Sequence, residues 1–418
     1  NHIGKKPRVM VWPYGQFNDV AVQLSRQAGM PHYFSLGEKI INKVGDKHIG
    51  RLLLNAETDL NTVKNYLDGI DESKQIQRVL HVDLDYVYDA DKAQQAKNLD
   101  KLIDRIYRYG VTTVYLQAFS DPDGDGVADA LYFPNKYLPV RDDIFGRIAW
   151  QLQTRAGVQV YAWMPVLAFD LRKGVKEAEY VIDSRTGKPS TKAYLRLSPY
   201  NKQNVEIIKS IYNDLSFYAK FNGILFHDDA FLTDFEGAEG DHAEGMVSPQ
   251  AKQKTQDLIK LTHQLTDALK PYFLRGSYSL KTARNLYASV ITNPNAEEWL
   301  AQNLKTLTEN YDTTAIMAMP YMENEQAISQ KEAYQWFASL IENVKAQAPL
   351  EKVLFEFQAV NWRTQKPIPE SELIDWMTLL QKNHIYSYGY YPDNFLTNQP
   401  DMNKMKPYFS VNTNAGKK

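Results

Sequence analysis

Gly223-Ile224-Leu225-Phe226-His227-Asp228-Asp229-Ala230 is an apolar run that ends abruptly in three polar side chains. A strand buried on both faces of a parallel sheet reads this way, with continuous hydrophobics and then polar groups where the chain leaves the sheet. Two adjacent carboxylates at such an exit cost free energy unless water, a partner or a substrate meets them. The segment that follows, Phe231 to Pro249, holds Asp234, Glu236, Glu239, Asp241 and Glu244 and neither Lys nor Arg. An acidic loop hung from an acidic strand end is where the chemistry is expected.

Working outward, similar β-branched runs recur at Val79 to Val87, Val111 to Ala118, Val158 to Leu167, Thr282 to Val290, Thr314 to Met319, Lys352 to Val360 and Tyr386 to Tyr391. Amphipathic stretches lie between them: Ala96 to Tyr109, Asn204 to Phe221, Ala251 to Leu269, Glu298 to Glu309, Lys331 to Ala346 and Glu370 to Asn383. Strands alternating with helices in this number predict an α/β chain whose main part is a (β/α)8 TIM-type barrel. A doubly wound open sheet is the alternative, weakened because no glycine-rich phosphate fingerprint follows a strand. Ahead of the barrel, Pro7 to Gly15 reads as a strand and turn, and Asn18 to Gly29 as a helix. His32 to Leu36 and Arg51 to Asn55 read as strands and Leu60 to Leu67 as a helix, which makes a small βα fragment. Asp71 to Gln77 is polar, so the expected division is a βα segment over 1–72 and a barrel over 77–410.

The 418 residues are 44% hydrophobic and 23% charged, ample for a large core. A formal net charge of -2 with no Lys/Arg cluster argues against a nucleic-acid partner. The absence of cysteine excludes disulfides, thiolate nucleophiles and Cys-zinc sites. No apolar run is long enough to span a bilayer, and the opening residues do not read as a signal peptide. Aromatic residues are in excess, with 7 Trp, 27 Tyr and 17 Phe, and their placement matters below.

A barrel demands that its functional residues gather where strands end at their C-terminal side. The first run carries Asp83, Asp85 and Tyr86; the second leads to Asp121-Pro-Asp-Gly-Asp-Gly126; the third passes Trp163. The fourth gives His227, Asp228 and Asp229, followed by Asp234, and the fifth Arg284 and Asn285. The sixth leads to Tyr321 and Glu323, the seventh carries Glu356 and leads to Trp362, and the eighth ends in Tyr390 and Asp393. Carboxylates and aromatics on one rim suit a sugar polymer: flat rings stack on apolar sugar faces, and carboxyl groups bind hydroxyls or amines and move protons. An acidic rim on a nearly neutral chain points to a cationic ligand.

Several strings here resemble those of a known family: Arg78 to Asp89, Val114 to Gly126, Tyr161 to Val166, Gly223 to Ala230, Ala315 to Tyr321 and Tyr388 to Phe395. They are similar to the C-terminal glycoside hydrolase domain (glycoside hydrolase family 153) of the PgaB/HmsF-type poly-β-1,6-N-acetylglucosamine N-deacetylases of Gram-negative bacteria. The resemblance implies a (β/α)8 hydrolase that cleaves partly deacetylated poly-β-1,6-N-acetylglucosamine from within the chain during biofilm exopolysaccharide processing. It also implies a periplasmic, outer-membrane-associated monomer, with the polysaccharide and an outer-membrane export porin as partners. Residues 1–72 resemble the tail of the family's deacetylase domain, with Trp12-Pro-Tyr-Gly15 as part of one motif. The Asp-His-His metal triad of that deacetylase is absent from the sequence, so deacetylation is not expected.

Glycoside hydrolysis needs two carboxyl groups flanking the bond. The acid is expected at Asp228 or Asp229. The second group is Asp85, Glu356 or the substrate's own N-acetyl group, and sequence leaves these open. Asp83, Tyr86, Asp121, Trp163, His227, Asp234, Arg284, Asn285, Tyr321, Glu323, Trp362, Tyr390 and Asp393 are expected to bind substrate, with Trp362 and Tyr390 as stacking platforms. No metal or cofactor is expected. Asp121, Asp123, Asp125 and Gly126 imitate an EF-hand start, but Tyr132 stands where the bidentate Glu belongs. Rival readings are a polysaccharide-binding barrel without catalysis and a polysaccharide N-deacetylase.

Overall fold

Strands buried on both faces and linked by helical crossovers have no exposed edge if their sheet closes on itself. The computed structural model of the chain shows this closure, and it describes residues 4–13, 17–36, 42–51, 76–172, 174–190, 193–237, 247–272 and 280–411. Two compact units divide the chain, the second comprising Ile76–Tyr272 and Leu280–Lys418.

The first unit holds β1 (Val9–Val11), α1 (Asp19–Gln27), β2 (His32–Leu36) and β3 (His48–Arg51) in a parallel sheet of order β1-β2-β3. Trp12, Val22 and Tyr33 form its core. Asn18 accepts from the Ala21 N–H at 2.8 Å and starts α1. The helix expected at Leu60 to Leu67 and residues 71–75 of the expected boundary lie outside the described residues.

The second unit is the expected barrel. Its strands are β4 (Arg78–Val82), β5 (Thr113–Gln117), β6 (Gln159–Met164), β7 (Gly223–Phe226), β8 (Lys281–Tyr287), β9 (Thr313–Met317), β10 (Val353–Gln358) and β11 (Tyr388–Tyr391). All pairings are parallel and sequential, and β11 pairs with β4 to close the ring. Outside it lie α2 (Lys92–Tyr109), α3 (Phe145–Gln151), α4 (Lys202–Tyr218), α5 (Pro249–Leu269), α6 (Leu304–Asn310), α7 (Gln330–Gln347), α8 (Glu370–Lys382) and α9 (Met402–Phe409). Helix α7 shows the logic. A reciprocal Ser329/Glu332 capping box starts it, and Phe337, Leu340, Ile341 and Val344 bury one stripe on the barrel side.

Two long runs divide where the sequence suggests continuous strands. Strand β4 stops at Val82, and Leu84–Val87 form a helical turn after Asp83; β8 stops at Tyr287, before a turn at Ser289–Thr292. In both, the apolar residues past the strand end are buried in a turn on the rim.

Strand alternation sends neighbours to opposite sides of the barrel wall, and this corrects several expected binding residues. Tyr390 is 0% exposed, its ring 5.3 Å from Phe409 of α9. It lies outside the barrel wall, while Tyr391 takes the inner position. Arg284 is buried on the outer side and donates to Tyr311 Oη at 2.8 Å and to the Ala230 carbonyl at 2.9 Å. Tyr321 donates to Glu372 Oε1 on α8. Asp393 accepts from Arg105 Nε and Nη2 and from the Tyr390 hydroxyl, so it is occupied by a buried ion pair.

That pair joins α2 to the segment after β11. Asp393→Ala leaves the Arg105 guanidinium buried without its partner, which is expected to cost about 3–5 kcal/mol of unfolding free energy. Urea denaturation checks this, and a loss below about 1 kcal/mol, the range of exposed pairs, contradicts it.

Candidate active site

The C-terminal ends of the strands form a rim, and Asp228 lies on it just past β7. Its carboxylate is only 4% exposed but has three side chains around it. The Tyr194 hydroxyl donates to both oxygens at 2.9 Å, the Tyr287 hydroxyl donates to Oδ2 at 2.8 Å, and His227 Nε2 lies 2.9 Å from Oδ1. Burial alone raises a carboxyl pKa. Here the His227 charge and the bonds from His227, Tyr287 and Tyr194 outweigh it and hold Asp228 below the ordinary aspartate range. Conversely, Asp228 outweighs burial at His227 and raises its pKa.

Glu323 closes the helical turn Pro320–Glu323 after β9. Its oxygens accept the Ala288 N–H at 2.7 Å and the Ser289 N–H at 3.1 Å. Burial dominates those two bonds, the Asp228 charge adds to it, and the pKa rises to about 7. Residues 287–289 therefore hold both groups: the Tyr287 side chain grips Asp228, and the next two backbone amides grip Glu323.

The other expected carboxylates have structural partners. Asp229 is 0% exposed and accepts backbone N–H bonds from Val166, Leu167 and Ala168 at 2.6–3.0 Å. It shapes the exit of β6 and does not open to the rim, which corrects its expected role as acid. Asp85 accepts from Arg141 Nη1 at 2.5 Å, Ser120 Oγ at 3.0 Å, Tyr132 Oη at 2.6 Å and the Asp121 N–H at 3.0 Å. Glu356 lies inside the barrel, 2.9 Å from His81 Nε2 and accepting from Asn285 Nδ2 at 2.6 Å. Asp85 is thus tied to the loop after β5, and Glu356 to His81 and Asn285 inside the barrel. Glu236 pairs with Arg196 at 2.6 Å, with both side chains buried. Asp234 is half-buried and lies within electrostatic range of Lys254. Glu239, Asp241 and Glu244 lie outside the described residues.

Beside the pair runs an aromatic wall. Trp163 lies 5.3 Å from His227 and 5.4 Å from Tyr391, which stacks on Trp362 at 6.2 Å and 29°. Asp83 stands beneath Tyr391, whose hydroxyl donates to Oδ2 at 3.4 Å, while Oδ1 has no partner. Burial and then the Asp85 charge push Asp83 up to about 8. Tyr86 is half-buried nearby, its hydroxyl pKa raised by burial and by Asp83. Among the described residues, the Asp121, Asp123 and Asp125 carboxylates come within 4.8 Å of one another. Asp121 nonetheless spends its oxygens on the Asp125 and Gly126 N–H groups at 3.0 and 2.9 Å. A cavity of about 490 Å³ between the starts of α7 and α8 includes Tyr334, Glu372 and Trp376. The clamped carboxyl pair and the aromatic wall lie instead at the strand ends.

Sequence reading missed Tyr194, Tyr287 and Tyr391. Alternation along β11 separates Tyr391 from Tyr390 once the strand's inner face is known. Tyr287 shares its parity with Asn285 on β8. Tyr194 lies in a loop with no periodicity, and nothing local marks it.

A family described as GHL13, hypothetical glycosyl hydrolase family 13, matches residues 81–391. The chain is 39% identical over 429 residues to the poly-beta-1,6-N-acetyl-D-glucosamine N-deacetylase of Escherichia coli K12, covering 97% of this chain and 63% of that protein. It thus spans less than two thirds of that relative's length. The solved glycoside hydrolase domain of PgaB (BpsB) from Bordetella bronchiseptica is 39% identical and superposes with a TM-score of 0.74, covering 81% of this chain and 100% of that one. Among the described residues no helix is long and apolar enough to cross a membrane.

Asp83 gives the rim a signature in stability. Its folded-state pKa, about 8, lies above the ordinary 3.8, so the folded state holds this proton more tightly. The stability it contributes is complete below the ordinary value and is lost as pH rises through the folded value. Asp83→Asn, a neutral isostere, is expected to flatten the decline of the thermal midpoint between about pH 5 and about pH 8. An unchanged slope contradicts a protonated Asp83.

Proposed function

This chain belongs to hypothetical glycosyl hydrolase family 13, and on that premise we propose that it cuts partly deacetylated poly-β-1,6-N-acetyl-D-glucosamine within the chain, using Glu323 and Asp228. One observation carries this reading: two carboxyl groups share one site but have opposed pKa shifts, Asp228 downward and Glu323 up to about 7. Titratable pairs whose environments separate them in this way mark acid and base assignments.

Glu323, protonated near neutrality, donates its proton to the departing glycosidic oxygen. Asp228 stays ionised beside the positive charge that develops at the anomeric carbon. Its oxygens already receive His227, Tyr194 and Tyr287. That occupancy suits an electrostatic and orienting role, with the substrate's own N-acetyl carbonyl as the attacking atom. Trp362 and Tyr391, both partly exposed, offer ring faces to the sugars, with buried Trp163 packed behind Tyr391. The half-buried carboxylate of Asp234 favours the ammonium groups of deacetylated units.

The named activity of the Escherichia coli relative and the solved Bordetella domain support this substrate. In the same reading, residues 1–72 are the tail of a deacetylase-like domain and 77–410 the hydrolase. The protein works in the periplasm beside the outer membrane and hands polymer to an export porin.

Glu323→Gln and Asp228→Asn are each expected to lower cleavage at least ~10²-fold, the usual worth of one positioned group. In the native protein, cleavage should fall as pH rises through about 7, where Glu323 loses its proton. On the acid side it should persist below the ordinary aspartate range, because Asp228 stays ionised there. Polymer length and released acetate are both measured. Shortened chains without acetate are expected; unchanged length with acetate released, or full activity in both variants, overturns the reading.

A further inference from the structure

We propose that the aspartate-rich loop Asp121–Gly126 is a seat for Tyr194, and that Gly126 is a positioning residue for the Asp228 carboxylate. The inference rests on the reading of Asp228 given above. Tyr194 is the one group that donates to both oxygens of Asp228, at 2.9 Å each. Its ring is confined by His227 at 5.7 Å and Phe231 at 6.2 Å. The remaining side of the ring meets Gly126. A Cβ built at Gly126 would stand 2.1 Å from Tyr194 Cε1 and 2.6 Å from Cδ1, so no other residue fits while the ring stays in place. Gly126 also has φ +79°, a backbone conformation that other L-residues adopt at a cost.

The loop is held rigidly for this purpose. Asp121 accepts the Asp125 and Gly126 N–H groups, which fixes the turn from within. The Asp121 N–H donates to Asp85, itself tied to Arg141, Ser120 and Tyr132, which fixes the turn to the barrel. A continuous path of contacts thus runs from Arg141 through Asp85, Asp121 and Gly126 to the Tyr194 ring, and from its hydroxyl to Asp228. The motif that imitates a calcium loop has a role in which its carboxylates bind their own backbone. Asp85 acts on Asp228 only through Asp121, Gly126 and Tyr194.

The test is a double-mutant cycle on the full chain, with partly deacetylated poly-β-1,6-N-acetylglucosamine as substrate. Tyr194→Phe removes the hydroxyl and keeps the ring. It is expected to lower kcat about tenfold or more, the worth of a hydrogen bond to a charged group. KM should change little, and the acid limb of the kcat profile should move to higher pH as Asp228 becomes easier to protonate. Gly126→Ala is expected to give the same limb shift by displacing the ring. In the Tyr194→Phe background, Gly126→Ala should lower the thermal midpoint but cost no further kcat, because the hydroxyl is already gone.

An undiminished kcat loss for Gly126→Ala in that background overturns the proposal, as does an acid limb that stays in place. If Gly126→Ala does not fold, Asp121→Ala, which frees the turn from within, takes its place in the cycle with the same expected outcomes. Asp228→Asn is the control. If it retains full activity, the reading beneath the proposal has failed; if it is inactive while the cycle is additive, only the seat has failed.

Discussion

An ionised carboxylate at 4% exposure must be solvated by protein, and the rim of this barrel is arranged around that requirement at Asp228. Moving such a charge out of water carries an effective penalty of several kcal/mol unless donors replace the lost waters. Three side chains do so: His227 from the end of β7, Tyr287 from the end of β8, and Tyr194 from the loop ahead of α4. Barrel closure makes β7 and β8 neighbours, so two of the donors come with the architecture. The third must be held in place by packing.

The same constraint sets the second carboxyl. A negative Asp228 raises the cost of ionising Glu323, which burial has already raised. One short segment, residues 287–289, contacts both groups. Burial does most to raise Glu323 and the Asp228 charge adds to it, while His227, Tyr287 and Tyr194 lower Asp228, so one segment brings together two groups shifted in opposite directions.

The barrel was legible because its signal is physical and long-range. Apolar runs such as Gly223–Phe226 suit a parallel sheet covered on both faces, eight of them alternating with helices suit a closed barrel, and the polar residues past each run marked the rim. Which rim residues face the cleft was much less legible. Tyr390 and Tyr391 differ by one position and lie on opposite sides of the wall, so choosing between them requires the strand's register. Asp228 and Asp229 are equally adjacent in sequence, yet one meets two tyrosine hydroxyls and the other caps three backbone amides. Glu236 of the acidic loop read as an open carboxylate because Arg196, which pairs with it, lies forty positions upstream. Ion pairs of that separation leave no local trace.

The central claim is that two neighbouring carboxyl groups are held in opposite protonation states, and carbon-13 NMR titration of the side-chain carboxyls tests it without any substrate. Glu323, assigned through Glu323→Gln, should titrate near 7, and Asp228, assigned through Asp228→Asn, below the ordinary aspartate range. A Glu323 that ionises in the ordinary carboxylate range, or an Asp228 that takes up its proton above it, contradicts the account.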